Sequence, residues 1–407
     1  MAPCFQYLPA RTPEEIREYA RIVSVAFGWD PDMSARWIAD CGHEAVRIVT
    51  LDGVIAGGLQ LLPLGTFFGG KRVPLTGVGA VVVLPEHRGR GVGKTLMREA
   101  LKEMRATGVP LSGLFPATLP LYRSAGFERS GVRHLVSFDL RQIALRRGVE
   151  VDPDVSVLPL RIDDDRMHRQ IRELYRRMAP SQDGHLDREE HIWRTRIYAH
   201  KCNPTRGYLF VRGSTLEGFL FLNQSSGTQG MVLDIRDLVC ETQAAMVRVI
   251  QFLADHRSIA VQANWMGAPE HPVLSLLHDH CFSCRLQDAW MLRVVDVAGA
   301  LQSRGYPTGF AGRFTIGVRD DLVAENNRPF AVQVSEGCAQ VSPAVPGESP
   351  DFLLDVRMLA PVLSGFHSLQ SLAAAGLLER SKGPAIGVAA AAFARTQGST
   401  PWMAEIY

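Results

Sequence analysis

The chain has 407 residues and carries 44 basic and 42 acidic side chains, which leaves a formal net charge of +2. A chain of this length predicts two or three domains, because a single hydrophobic core rarely serves more than about 300 residues. The balanced charge argues against a nucleic-acid partner, and no run of about 18 apolar residues suggests a membrane span. The start of the chain lacks the apolar core and cleavage site of a secretory signal, so we expect a cytoplasmic protein.

Two β-hairpins are predicted in the first 83 residues. An Asp52-Gly53 turn separates apolar strands at 45–50 and 54–62, and a second hairpin over 67–83 turns at Gly69-Gly70. Pairs of this kind favour the tight turns that connect antiparallel strands.

Residues 78–106 contain the most informative pattern in the chain. An apolar strand ends at Pro85, and a loop with glycines at 89, 91 and 93 opens a helix with one apolar face. Such a loop places free backbone N–H groups at the positive end of the helix dipole, where they can bind a pyrophosphate. Glycine is needed because a side chain would hold the phosphate away from the backbone.

Spacing separates the possible phosphate loops. A Walker loop requires a glycine where this chain has Arg88, and a dinucleotide fingerprint requires G-x-G-x-x-G, whereas these glycines run G-x-G-x-G. The pattern that remains is R-x-x-G-x-G at Arg88, Gly91 and Gly93, after a strand that ends in three valines at 81–83. A plain surface turn is the other interpretation.

The next elements are a strand at 109–115 and a short helix that carries Tyr122 and ends at Gly126. Residues 121–127 read L-Y-R-S-A-G-F. The alternative to a functional role is that Tyr122 only packs at the edge of the helix.

Residues 155–293 repeat the broad order of the first domain after a charged linker at 147–154. The segment predicts two helices, a hairpin, a strand, another helix and two more strands, at 163–178, 188–199, 213–217, 231–238, 241–255, 258–263 and 286–293. No glycine loop lies between the strand at 231–238 and the helix at 241–255. We therefore expect a second domain that has lost the phosphate site.

From residue 296 the pattern changes to α+β, and the chain ends in an apolar segment. The helices and strands are predicted at 296–304, 313–318, 330–335, 338–343, 356–363, 367–378 and 385–394. Trp402, Met403, Ile406 and Tyr407 make the tail unusually apolar, which predicts that it docks against the protein.

The seven cysteines are scattered and odd in number, as expected of reduced thiols. Residues 278–284 have a metal-like composition, but no second ligand pair follows at a recognised spacing. We therefore predict no metal site.

The strands, the glycine loop and the tyrosine helix of residues 1–145 resemble the GNAT N-acetyltransferases. With the second domain, the α+β domain and the apolar tail, nearly the whole chain resembles the Eis (enhanced intracellular survival) type of this superfamily. The resemblance implies a fold of two tandem GNAT-like domains, each a mixed sheet flanked by helices, and a C-terminal sterol-carrier-protein-like α+β domain. The predicted boundaries are 1–147, 148–294 and 295–407.

The resemblance also implies an acetyl-CoA-dependent enzyme that acetylates a primary amine of a small molecule or peptide. Tyr122 would be its general acid, and the C-terminal carboxylate of Tyr407 its general base; Tyr407 as a plug of the core is the alternative. Groups of the strand and loop would hold the coenzyme: Val81, Val82, Val83, Arg88, Gly89, Arg90, Gly91, Val92, Gly93 and Lys94.

The acceptor cleft of the family corresponds to the segment that contains Phe27, Trp29, Asp30 and Trp37, although aromatics at helical spacing are often core residues. Glu405 stands one place earlier than the family's second acidic residue, and Gly89 replaces an arginine. Family members are homohexamers. The competing hypothesis is a non-catalytic acyl-CoA sensor or lipid carrier.

Overall fold

The computed structural model describes residues 3–194, 205–345, 347, 349–381, 383–395 and 399–407. These residues form two compact units. As far as the chain is described, the first unit holds residues 3–131, 289–395 and 406–407, and the second holds 132–288 and 399–405. The first unit thus joins the predicted first and third domains, whereas the sequence predicts boundaries after residues 147 and 294.

The first unit opens with five strands and four helices, which are, in chain order, β1 (Phe5–Pro9), α1 (Pro13–Phe27), α2 (Pro31–Cys41), β2 (Val46–Leu51), β3 (Val54–Phe68), β4 (Lys71–Val83), α3 (Val92–Ala106), β5 (Leu111–Leu114) and α4 (Leu119–Arg123). The strands pair in this order, and only the last pair, β4 with β5, is parallel.

Local signals in the sequence explain these boundaries. Thr12 and Glu15 form a reciprocal capping box at the start of α1, and Gly28 ends this helix in the left-handed conformation. The predicted hairpin turns lie at residues 52–53 and 69–70, between β2 and β3 and between β3 and β4. The apolar face of α3 is buried against the sheet, as its pattern predicts.

The second unit broadly repeats this order of elements. Its elements are β6 (Glu128–Asp139), β7 (Val155–Pro159), α5 (Asp165–Met178), β8 (Leu186–Asp187), α6 (Glu190–Ile192), β9 (Arg206–Arg212), β10 (Thr215–Gly227), β11 (Gly230–Cys240), α7 (Gln243–Asp255) and β12 (Ala260–Gly267). The strand order is β6-β12-β11-β10-β9-β7, in which β11 and β12 are parallel. One extra residue, Arg236, interrupts the pairing of β11 with β10.

The remaining chain belongs to the first unit except for residues 268–288 and 399–405, which belong to the second. It forms β13 (Phe282–Val294), α8 (Val297–Ser303), β14 (Gly312–Arg319), β15 (Pro329–Ser335), β16 (Cys338–Pro343), β17 (Phe352–Asp355), α9 (Val356–Ser364), α10 (Leu369–Ala374), β18 (Arg380–Ser381) and α11 (Gly383–Ala392). The last five strands form a separate sheet in the order β16-β15-β14-β17-β18.

Two long strands divide between the units. Met291 to Val294 of β13 pair antiparallel with Leu114 to Leu111 of β5, inside the first unit. His134 to Asp139 of β6 pair with β12, inside the second unit. The sheet of residues 3–131 is therefore completed by a strand that lies about 180 residues further along the chain, since Leu111 pairs with Val294.

One predicted helix lies partly outside the described residues, and several strands were not predicted. The helix predicted at 188–199 is described only as the short α6, since residues 195–204 lie outside the described part of the chain, as does Cys202. Six strands were not predicted: β1, β6, β7, β8, β17 and β18. In the described residues no helix is long and apolar enough to cross a membrane, and no cluster of candidate metal ligands occurs.

Candidate active site

The N-terminus of α3 offers a cluster of backbone donors. Gly91 is the N-cap residue, with a φ of 94° and no capping side chain. The first hydrogen bond of the helix runs from Thr95 N to Gly91 O (3.0 Å). Among the described residues, the amides of 89–94 donate to no protein atom. They face a pocket of about 310 Å³ whose walls include Val83 and Leu121. A pyrophosphate fits this arrangement of free N–H groups.

The Arg88 amide is not part of this cluster, because it donates to Pro85 O (3.2 Å). The Arg88 side chain lies nearby, with its Nε 3.4 Å from Val83 O. The Arg90 guanidinium is 3.6 Å from the Asp52 carboxylate, and both side chains are about half exposed. The cradle of amides thus begins at Gly89, and the positive charge of Arg88 and Arg90 stands at its rim.

Strand β4 leads from the glycine loop to a bulge. Two of its residues, Ala80 and Val81, stand opposite one residue of β3. Ala80 has a φ of 41°, which is rare for a residue with a side chain, and its carbonyl accepts a hydrogen bond from the Tyr19 hydroxyl (2.9 Å). Bulges re-aim a strand and are common beside active sites.

The parallel pairing of β4 with β5 ends at Gly77 and Gly113. Beyond this point β4 continues to Val83 beside β3, whereas β5 ends at Leu114. The two strands therefore stop pairing at Gly77, shortly before the bulge, and a gap opens between them. Val81 and Val83 face α3, and Ala80 and Val82 face α1 and α2, so the gap connects the two faces.

Tyr122 lies at the end of α4 with 5% of its surface exposed. Its ring packs edge-on against Phe127 at 6.3 Å, and its carbonyl accepts the amides of Ala125 and Phe127. Burial raises the pKa of Tyr122 to about 12. With this pKa the phenol stays protonated at neutral and mildly alkaline pH.

Tyr407 lies in a slot lined by glycines. A Cβ added at Gly77 would come within 2.6 Å of its ring, and a Cβ at Gly113 within 2.6 Å of its hydroxyl. A Cβ at Gly79 would be 3.7 Å from the backbone oxygen of Tyr407 and 3.7 Å from the Trp37 ring. Tyr407 is thus placed beside the bulge, on the face of the sheet that carries α1 and α2.

The other residues predicted to bind the acceptor lie in two places. Phe27, Trp29, Asp30 and Trp37 lie in the first unit, and Glu405 lies in the second. Phe27, Trp29 and Trp37 form one aromatic cluster, in which the rings are 5.1 and 5.8 Å apart. The Asp30 carboxylate caps α2 by accepting the amides of Asp32 and Met33. Glu405 belongs to the second unit.

Inside that unit, the Glu405 carboxylate is buried and pairs with Arg188, which also binds Asp237 at 2.6 Å. The charge of Glu405 is therefore neutralised by a buried arginine. A role of Glu405 in holding a cationic acceptor, as predicted, would require this ion pair to open.

The second unit has no corresponding phosphate site in its described residues. Thr242 caps α7 with its own side chain, which accepts the Ala245 amide and donates to Glu217. Two carboxylates, those of Glu217 and Glu241, stand next to this helix, each paired with an arginine. Trp402 packs among the residues that follow the bulge of β11, beside His185 at 4.4 Å.

Several features of the site were missed in the sequence. Gly77, Gly79 and Gly113 carry the signal that could have revealed them, because an isolated glycine in a strand often marks a bulge or a close approach of another chain segment. A structural contact was hidden in the same way: the Arg293 guanidinium, which pairs with Asp320, lies within 2.8 Å of the place where a Cβ of Gly126 would be, 167 residues earlier in the chain.

Three features occur together here: a helix that begins at a glycine loop, a bulge in β4, and two parallel strands, β4 and β5, that stop pairing near this bulge. Together they define an acyltransferase of the GNAT class. Family models agree with the geometry: one described as Acetyltransferase (GNAT) domain matches residues 9–130, a second of that description matches 184–294, and one described as Sterol carrier protein domain matches 297–404.

The similar proteins cover between 79% and 99% of this chain. An uncharacterized N-acetyltransferase of Streptomyces griseus is 26% identical over 97% of this chain and 98% of its own. The N-acetyltransferase Eis of Mycobacterium tuberculosis is 23% identical over 79% of this chain and 78% of its own. The crystal structure of a GCN5-related N-acetyltransferase from Anabaena variabilis is 30% identical and superimposes with a TM-score of 0.92 over 99% of this chain and 100% of that one.

The chain belongs to the GCN5-related N-acetyltransferase family, and its tandem GNAT domains and sterol-carrier domain give it the Eis-type layout. Eis1 of Mycobacterium abscessus has the same fold, with a TM-score of 0.81, 20% identity and coverage of 99% of this chain and 100% of that one. The predicted fold class and the predicted acetyltransferase class are confirmed.

Proposed function

We propose that the protein transfers the acetyl group of acetyl-CoA to a primary amine, with Tyr122 as general acid and the Tyr407 carboxylate as general base. The observation that most supports this proposal is the arrangement of groups along β4. The free amides of 89–94 lie next to Val83 at one end of this strand, and the backbone oxygen of Tyr407 lies at Gly79, just past the bulge. A donor held at the loop would reach the carboxylate along this strand.

The two residues divide the proton transfers of the reaction. An amine is mostly cationic at neutral pH and must lose a proton before its nitrogen can attack the thioester carbonyl. As the new C–N bond forms and the C–S bond breaks, the leaving sulfur gains a proton from Tyr122. Each such transfer typically contributes ~10²–10⁴-fold to the rate.

The acceptor would approach from the face of α1 and α2. The exposed Phe27 and the rings of Trp29 and Trp37 offer an aromatic wall for a cation, and the carboxylate of Tyr407 adds a negative charge. Small-molecule and peptide amines both fit this description. A cytoplasmic homohexamer is part of the same proposal, by family resemblance.

The test measures thiol release from acetyl-CoA over a panel of amines. We expect saturable, amine-dependent release, and we expect it to vanish when one glycine is added after Tyr407 while coenzyme binding persists. The control carries the same added glycine at the N-terminus. Activity that survives the C-terminal addition would refute the role of the carboxylate. Tight coenzyme binding without turnover of any amine, together with co-purified lipid, would favour the sensor or carrier.

A further inference from the structure

We propose that the side chain of Tyr407, as distinct from its carboxylate, limits the length of the acyl group that the enzyme transfers. The inference rests on the proposed function. In this proposal the Tyr407 ring forms the floor of the acyl pocket. The enzyme would therefore use only acyl-CoA thioesters with short acyl chains.

The ring fills the space directly below the gap between β4 and β5. It lies across Gly77 and Gly113, the last paired residues of the two strands. Any side chain at either position would collide with it, at 2.6 Å in both cases. Tyr407 is 6% exposed, so this space is full.

The walls around the ring are apolar. Leu64 lies 2.7 Å from the place of a Cβ at Gly77, and Leu75 and Leu292 each lie 3.4 Å from that of a Cβ at Gly113. Phe115 meets the Tyr407 ring edge-on at 6.0 Å. Among the described residues the buried Tyr407 hydroxyl has no hydrogen-bond partner. A slot of this kind would suit an alkyl chain if the ring were absent.

The path of the donor leads to this ring. From the amides of 89–94 it follows Val83 and Val81 to the gap, where the thioester comes beside Gly79. A chain that continues through the gap from the α3 face toward the α1–α2 face runs onto the ring over Gly77. An acetyl group ends before this point, whereas longer chains must displace the ring.

The transfer itself is the same for every donor. The amine nitrogen forms a bond to the acyl carbon, the carbon–sulfur bond breaks, and the products are the amide, free coenzyme A thiol and the proton lost by the ammonium group. Only the space for the acyl chain differs between donors. A preference for one acyl-chain length therefore reports the size of the acyl pocket and not a difference in the chemical step.

The experiment compares hexanoyl-CoA with acetyl-CoA in the wild type, Tyr407→Ala and Tyr407→Phe, each of which keeps the terminal carboxylate. Burial of one methylene favours binding by about fourfold, and hexanoyl has four more methylenes than acetyl. We expect Tyr407→Ala to raise the ratio of kcat/KM for hexanoyl-CoA over acetyl-CoA by at least ~10-fold. Tyr407→Phe keeps the ring and should keep the wild-type ratio.

Binding gives a second readout that does not need turnover. The affinity of S-hexyl-CoA relative to S-ethyl-CoA should rise in Tyr407→Ala by a similar factor. If that variant does not fold, Tyr407→Leu, which removes less volume, should show a smaller rise in the same direction.

The inference is overturned if wild type uses hexanoyl-CoA as well as acetyl-CoA, or if the ratio does not change in either shortened variant. A change confined to the KM of the amine would place the ring in the acceptor pocket instead and would also refute it. Failure of wild type to release thiol from acetyl-CoA with any amine would refute the proposed function, which is a different result.

Discussion

At the scale of single residues, Tyr122 offers the sharpest test of the chemistry. Burial raises its pKa to about 12, so the phenol stays protonated across the neutral and mildly alkaline range. Tyr122→Phe keeps the ring and its packing on Phe127 but removes the proton donor. We expect kcat to fall by ~10²–10⁴-fold while the affinity for coenzyme A is unchanged. A variant that keeps wild-type kcat would leave Tyr122 as a packing residue.

Arg188 illustrates a residue whose charge matters for stability. It is buried with the carboxylates of Asp237 and Glu405 and lies 3.7 Å above the ring of Tyr175. Arg188→Met would leave two buried carboxylates without their counterion, which costs about 3–5 kcal/mol. Chemical denaturation measures this loss. The matched control, Arg177→Met, removes an exposed partner of Glu241 and should cost at most about 1 kcal/mol.

At the scale of elements, the start of α3 can be changed without strain. A Cβ at Gly93 would meet Leu121 at 3.5 Å and Val83 at 3.9 Å, which are ordinary contacts. Gly93→Ala should therefore fold at least as stably as wild type, since alanine is favoured over glycine in helices by up to about 1 kcal/mol. Its methyl group enters the pocket that faces the amides.

We expect Gly93→Ala to weaken coenzyme A binding by at least ~10-fold, because phosphate oxygens can no longer approach the backbone donors. Isothermal titration with coenzyme A measures this change. Gly387→Ala in α11, where an added Cβ meets nothing within 4 Å, is the matched control and should bind normally. Equal affinity in the two variants would contradict a phosphate cradle at this helix.

The elements also show what the sequence could and could not predict. The glycine loop, the helix after it and the turns at 52–53 and 69–70 were predictable because each depends on residues close in the chain. The slot formed by Gly77, Gly79 and Gly113 was not, since its occupant, Tyr407, is about 300 residues away. Strand β13 was predicted as a strand, but its pairing with β5 was invisible to local patterns.

At the scale of the whole molecule, buried tyrosines predict the response to high pH. Burial raises the pKa of Tyr122 to about 12, and the hydroxyl pKa values of five other tyrosines are also raised, those of Tyr7, Tyr19, Tyr175, Tyr306 and Tyr407. The unfolded chain ionises near pH 10, below these folded values, so stability is complete below pH 10 and falls above it.

Each such tyrosine lowers the free energy of unfolding by up to about 1.4 kcal/mol per pH unit above pH 10. We expect the melting temperature to be flat from pH 8 to about pH 10 and then to fall steeply, with the rise in phenolate absorbance coinciding with unfolding. Phenolate absorbance that develops fully before unfolding would contradict the burial of these side chains.

The pairing of β5 with β13, a strand much later in the chain, has a consequence for folding during translation. While the ribosome extends the chain, β5 has already emerged but its partner at 291–294 has not been made. The nascent first domain therefore presents an open strand edge for the time needed to synthesise about 180 further residues, and open edges invite aggregation. We therefore expect slow elongation through the second domain to lengthen this exposure and to increase aggregation of the nascent chain.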